Sequence, residues 1–143
     1  MRFLPNPARL EFLTALAVKT KFPKVRVIPN YICDDTGLPT STAGGNLGDI
    51  ECIENQNGIL LEVTMSEGRT QTVMEVWPIE RHLITFKKKH TEKSQCIFIA
   101  PTIFNDTLRQ IKFVKQDSGH TIRPYKITEF IDYLESKSKL YTK

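Results

Sequence analysis

Gly48-Asp49-Ile50-Glu51-Cys52-Ile53-Glu54-Asn55-Gln56-Asn57-Gly58-Ile59-Leu60-Leu61-Glu62-Val63-Thr64-Met65 reads as two strands joined by a tight turn. Ile59, Leu61, Val63 and Met65 alternate with other residues, the period-2 pattern of a half-buried strand. Asn57-Gly58 supplies residues that tolerate φ > 0, as a two-residue hairpin requires. If Asn57-Gly58 is the loop, Ile53 faces Glu62 and Glu51 faces Thr64. If Gln56-Asn57 is the loop, Glu51 faces Glu62 and Asp49 faces Thr64. In both registers Asp49, Glu51, Glu62 and Thr64 share one face, because side chains alternate along a strand. Carboxylates converging on one end of a hairpin repel one another unless something positive lies between them. A hard divalent cation with oxygen ligands answers that need. The plainer reading is the solvated outer face of a surface hairpin.

Outward from the hairpin, Ser66-Glu67-Gly68 is a turn, and Arg69 to Lys88 reads as a helix interrupted at Pro78. Gln71, Glu75, Pro78 and His82 fall on one stripe of it, so Gln71 and Glu75 can aim back at the carboxylates. Glu75 can equally pair with a neighbouring cation. Lys87-Lys88-Lys89 opens a basic loop, solvated or in contact with phosphates. Upstream, Asp34 to Asn46 is a long polar loop, of the kind that is often functional. Its Gly44-Gly45 matches no phosphate-binding pattern.

Asn6-Pro7 opens a first helix that Pro23 ends, with Asn6 as N-cap and Pro7 at the first helical position. Leu10, Leu13 and Ala17 form its apolar face, widened by Phe12 and Leu16. Glu11 lies toward the edge of that face, and periodicity alone makes it a helix-surface glutamate. Val25 to Ile32 is a strand, bounded or bulged at Pro29. Ser94 to Pro101 is a strongly apolar strand, central and buried on both faces. Asn105-Asp106 caps a helix through Val114. Ile122 to Ile127 is a last strand, placed at an edge by Pro124, and Thr128 to Glu135 starts a final helix. This order predicts an α/β sandwich around a mixed sheet.

The 143 residues, 40% apolar and 25% charged, predict one soluble domain spanning residues 1–143. A net charge of +4 is compatible with a polyanionic partner without establishing one. Cys33, Cys52 and Cys96 show no C-x-x-C spacing and read as reduced, structural thiols of an intracellular protein. No run reaches membrane-spanning length, and Met1 to Pro7 lacks the apolar core of a signal peptide.

Asp49, then Glu62-Val63-Thr64, in a strand-turn-strand followed by a helix, resembles the PD-(D/E)xK nuclease fold. Adding Gly68-Arg69-Thr70-Gln71, Glu75 and Pro78-Ile79-Glu80-Arg81-His82, the chain is similar to the AlwI and MlyI family of type IIS restriction and strand-nicking endonucleases. The resemblance covers most of the chain as a cleavage domain and leaves no recognisable DNA-recognition element. It implies that Asp49, Glu62 and Glu75 are the acidic active-site residues, and it adds Glu11. It implies a Mg²⁺ ion, replaceable by Mn²⁺, held by Asp49, Glu62 and the Val63 carbonyl. Arg69, Gln71, Arg81, His82, Lys87, Lys88 and Lys89 become candidate contacts to DNA phosphates.

The expected function is metal-dependent hydrolysis of double-stranded DNA in a bacterial cytoplasm. Sequence recognition would lie in another domain or a large subunit, and a transient dimer would allow double-strand cleavage. One residue departs from the wider fold: Thr64 stands where a lysine is usual, leaving the electrostatic role to Glu75, Arg81 or His82. The rival reading that this departure supports is a catalytically silent nuclease-fold module that binds DNA or a partner protein.

Overall fold

The computed structural model describes residues 6–43 and 47–143. Met1 to Pro5 and Gly44-Gly45-Asn46 lie outside the described residues. The hairpin consists of β4 (Ile50–Glu54) and β5 (Asn57–Val63), paired antiparallel. Its loop is Asn55-Gln56, with φ of 49° and 71°, earlier than either loop expected from the sequence. Gly58 explains the shift. It is needed inside the strand, where a Cβ would come 3.1 Å from the Phe86 ring and collide with Ser94. Ile50 pairs with Leu61 and Glu51 with Leu60. The register changes by whole pairs, so the division into two faces survives.

Three more strands complete the main sheet. β1 (Arg26–Pro29) lies antiparallel to β4, while β6 (Gln95–Ala100) and β7 (Ile122–Lys126) run parallel to β5 and to one another. The spatial order is β1-β4-β5-β6-β7, so Pro124 does lie on an edge strand. Parallel neighbours need long crossovers, and helices supply them: α2 (Gly68–Lys89) between β5 and β6, α3 (Asn105–Ser118) between β6 and β7. Both pack on one face, over Leu60, Cys96, Phe98 and Ala100. On the other face α1 (Asn6–Lys21) and α4 (Ile127–Ser136) cover Ile50, Cys52, Ile59, Leu61, Ile97 and Ile99. The chain is therefore a mixed five-stranded α/β sandwich, and β6 is buried throughout as its composition predicts.

Four expectations are corrected. The strand expected to reach Ile32 ends at Pro29, and the loop expected from Asp34 contains a strand: Ile32–Cys33 (β2) and Pro39–Ser41 (β3) form a separate two-stranded ribbon. Helix α2 continues through Pro78 to Lys89, so Lys87, Lys88 and Lys89 are its last turn rather than a loop. Helix α3 begins at Asn105 with Phe104, which makes no side-chain bond, in the cap position, and it ends at Gly119 with φ of 74°. Helix α1 turns the opposite way from its leucines. Ala8, Glu11, Thr14, Ala15 and Val18 are buried, while Leu13 and Leu16 are about half exposed, at 47% and 52%. Small residues on the inner stripe let this helix lie close to the sheet.

Cys52 and Cys96 are buried free thiols and Cys33 is an exposed one. No helix among the described residues is long and apolar enough to cross a membrane.

Candidate active site

Hairpin parity puts Asp49 and Glu62 side by side where β4 begins and β5 ends. The backbone there is pinned: the Val63 N–H donates to Asp49 Oδ2 at 2.8 Å, and the Asn30 N–H donates to the Asp49 carbonyl at 2.9 Å. The inward stripe of α1 delivers Glu11 to the same point. Glu11 and Glu62 both come within hydrogen-bonding reach of the Asp49 carboxyl. His82 reaches down from α2, its Nδ1 2.9 Å from Glu62 Oε1. Gly48 makes room for this packing, since a Cβ there would lie 2.9 Å from Glu62 Oε1 and strike Leu60.

Burial raises the proton affinity of all three carboxyls. Burial lifts Glu11 to about 9, reinforced by its bond to Asp49 and by the charge there. Burial also lifts Glu62 to about 8, with His82 opposing and Asp49 adding to the rise. Asp49 is raised by burial, against the bonds it accepts from Glu11, the Val63 N–H and Glu62. Glu11 Oε2 is buried and has no hydrogen-bond partner among the described residues. The cluster lines a cleft of about 360 Å³ that also exposes Glu75, Thr64 and His82.

Glu75 stands on the opposite wall. Thr64 Oγ1 donates to its Oε1 at 2.9 Å and Ser66 Oγ donates to the same oxygen at 3.0 Å. The stripe of Gln71, Glu75, Pro78 and His82 thus faces the hairpin, but Gln71 is not a phosphate contact. It is fully buried, donating to the Ser66 and Thr102 carbonyls and accepting from the Phe104 N–H. Lys87 and Lys89 are placed away from the cleft, at the far end of α2. Lys87 Nζ lies 2.9 Å from His120 Nδ1, and Lys89 donates to Glu51 at 3.2 Å. Arg69, Arg81 and Lys88 are exposed.

Glu51 shares the acidic face without joining the site. It is buried against α2, not solvated, and accepts from Asn30 Nδ2 and Lys89, with His90 Nε2 at 3.5 Å. Burial alone would raise its proton affinity; the bonds from Asn30 and Lys89, the Lys89 charge and His90 outweigh it, so the net shift is downward. The roles of Gly48, Asn30 and Ser66 escape sequence reasoning. Only a glycine directly before an acidic strand hints at close packing.

The donor set suits a hard cation, because Glu11, Asp49, Glu62 and the Val63 carbonyl offer only oxygen. Within that set, the buried Glu11 Oε2 has no hydrogen-bond donor among the described residues. Among the described residues no three His, Cys, Asp or Glu side chains already surround a common point as metal ligands.

A mixed sheet with helices on both faces and clustered carboxylates on its antiparallel hairpin defines a restriction-endonuclease-like architecture. The sequence model of the AlwI restriction endonuclease family matches residues 5–133, and the chain belongs to that family. Among solved structures, the small subunit (R.BspD6I2) of the heterodimeric restriction endonuclease R.BspD6I superposes with a TM-score of 0.80 at 24% identity. The match covers 95% of this chain and 73% of that one. Comparison with curated proteins gives no match.

Proposed function

We propose that this chain is a Mg²⁺-dependent endonuclease subunit that hydrolyses DNA phosphodiesters, with Mn²⁺ as a substitute. The observation that carries this reading is the convergence of Glu11, Asp49 and Glu62 on one cleft, with Glu75 and His82 lining it too. Membership of a restriction endonuclease family supports it. A bound divalent ion supplies charge to polarise the scissile phosphate and to lower the pKa of water.

The chain's own residues do the rest. Asp49, Glu62 and the Val63 carbonyl would hold the ion, with Glu11 closing the set from α1. His82 fixes the Glu62 carboxyl, and Glu75 presents a further carboxylate from the far wall. Exposed Arg69, Arg81 and Lys88 are the available contacts to DNA phosphates, which position a duplex without reading its sequence. Recognition would come from a separate domain or larger subunit, a division supported by the likeness to a small subunit of a heterodimeric enzyme. One active site cuts one strand, so double-strand cleavage requires a second site from that partner or from a transient second copy.

Supercoiled plasmid incubated with the chain and Mg²⁺ should accumulate nicked circles, slowly and without sequence preference. EDTA or Asp49→Ala should abolish them. Nicking that survives either treatment overturns the assignment. The silent-module reading, motivated by Thr64, requires a folded chain that binds Mn²⁺ at Asp49 yet never nicks, alone or with its partner.

A further inference from the structure

Thr64 occupies the position where the wider fold carries a lysine, and its hydroxyl is committed. It accepts from the Ser66 N–H at 3.0 Å and donates to Glu75 Oε1 at 2.9 Å. Ser66 Oγ donates to that same oxygen. The turn presenting both hydroxyls is itself immobilised. The Thr64 N–H continues the parallel ladder to the Ile99 carbonyl, and the buried Gln71 amide grips the Ser66 carbonyl while bonding Thr102 and Phe104 on the next loop. Gln71 lies one helical turn before Glu75, so a single turn of α2 both carries the carboxylate and anchors the loop that aims it.

We infer that Thr64 and Ser66 are positioning residues for Glu75, with Gln71 as the anchor that holds them; this rests on the proposed role of Glu75 in the cleft. Two neutral donors on Oε1 orient the Glu75 side chain without setting a cation against its charge. A lysine at the same position would reach the same oxygen as an ion pair and cancel that charge. In a site with four carboxylates, orientation without neutralisation keeps the attraction for a cation. The chain Ser66 N–H to Thr64 hydroxyl to Glu75 is also cooperative, each bond polarising the next.

The test compares Thr64→Val, which keeps the shape and loses the hydroxyl, with Thr64→Ser, which restores it. Each is made alone and in a Glu75→Gln background. Nicking of supercoiled plasmid in Mg²⁺ and calorimetric titration with Mn²⁺ alone are the two readouts. Thr64→Val should lower the turnover rate about tenfold and weaken Mn²⁺ binding about threefold, the loss expected for one hydrogen bond to a charged group. The KM for DNA should not move, and Thr64→Ser should recover most of both losses. In Glu75→Gln, adding Thr64→Val should cost nothing further. Wild-type behaviour of Thr64→Val beside a crippled Glu75→Gln overturns the positioning role and leaves the site standing. Losses that multiply in the double variant overturn it too, since Thr64 would then act independently. A fully active Glu75→Gln removes both the positioning role and the site assignment it rests on.

Discussion

Two buried glutamates on the same face of one hairpin have opposite fates. Glu51 and Glu62 are each 6% exposed, so burial alone does not separate them. Glu51 meets Asn30, Lys89 and His90, and its proton affinity falls below the ordinary range. Glu62 meets two other carboxyls and one imidazole, and its proton affinity rises to about 8. A buried carboxylate given cations and donors is a strut; several buried carboxyls given mainly each other lack that compensation. Glu54, also buried, shows a third arrangement, accepting the Leu140 and Tyr141 N–H groups of the C-terminal tail at 2.8 and 2.9 Å.

The largest expected effect comes from making Glu62 resemble a neutral residue. Glu62→Gln should depress Mg²⁺-dependent nicking by about a hundredfold or more, the scale of losing one electrostatic contact to the reacting centre. The same change should raise the melting temperature of the metal-free chain near neutral pH, because an amide is uncharged in both states and spares the proton uptake that burial imposes on Glu62. A Glu62→Gln chain that melts lower in EDTA than the wild type would erase the contrast with Glu51.

The complementary change is Glu51→Gln, expected to destabilise by about 1–2 kcal/mol as Lys89 and His90 lose their anionic partner. Lys89 is 60% exposed, which keeps the ion-pair share small. Nicking per folded molecule should change little, and urea denaturation beside a plasmid assay checks both halves. Activity that falls while stability holds would move Glu51 into the site.

The same contrast predicts a pH dependence. Glu11 and Glu62 keep protons in the folded state up to about 9 and about 8, whereas their ordinary value is 4.5. Between those limits the native chain binds more protons than the unfolded one, so stability falls as pH rises. Each retained proton contributes a slope of up to ~1.4 kcal/mol per pH unit. In EDTA the melting temperature should therefore decline from pH 5 to pH 9, and saturating Mn²⁺ should flatten that decline. Glu51, shifted downward, has the opposite sign and acts only at the acid end. A metal-free melting temperature that rises toward pH 9 contradicts the cluster's electrostatics.

Much of this was legible because the relevant periods are short. Strand parity put Asp49 and Glu62 on one face although the loop was expected one or two residues too late, since moving a two-residue loop along the chain shifts the pairing by whole pairs. Helical spacing likewise aligned Glu75 with His82, and the strongly apolar Gln95–Ala100 announced its own burial. The inward face of α1 was not legible. Leu13 and Leu16 carry more hydrophobicity than Ala8 and Ala15, yet close approach to the sheet selects small side chains and draws Glu11 inward. Gln71 has the chemistry of a phosphate contact, and only the long-range packing of Thr102 and Phe104 beside it shows that its amide is consumed. The β2–β3 ribbon escaped because two- and three-residue strands leave no alternation to read.

The hairpin that carries Asp49 and Glu62 also has a place in time. Its partners are few residues apart, whereas the Glu54 latch on Leu140 spans 86 residues. Short loops close at lower entropic cost than long ones, so the repelling pair comes together early in folding, before the tail can dock. The site is then an obstacle on the way in rather than a weakness once formed. Easing the repulsion should speed refolding and leave unfolding almost untouched, which stopped-flow comparison of Glu62→Gln with the wild type in metal-free buffer measures directly. In such a chain the residues chosen for chemistry set the pace at which the molecule first becomes itself.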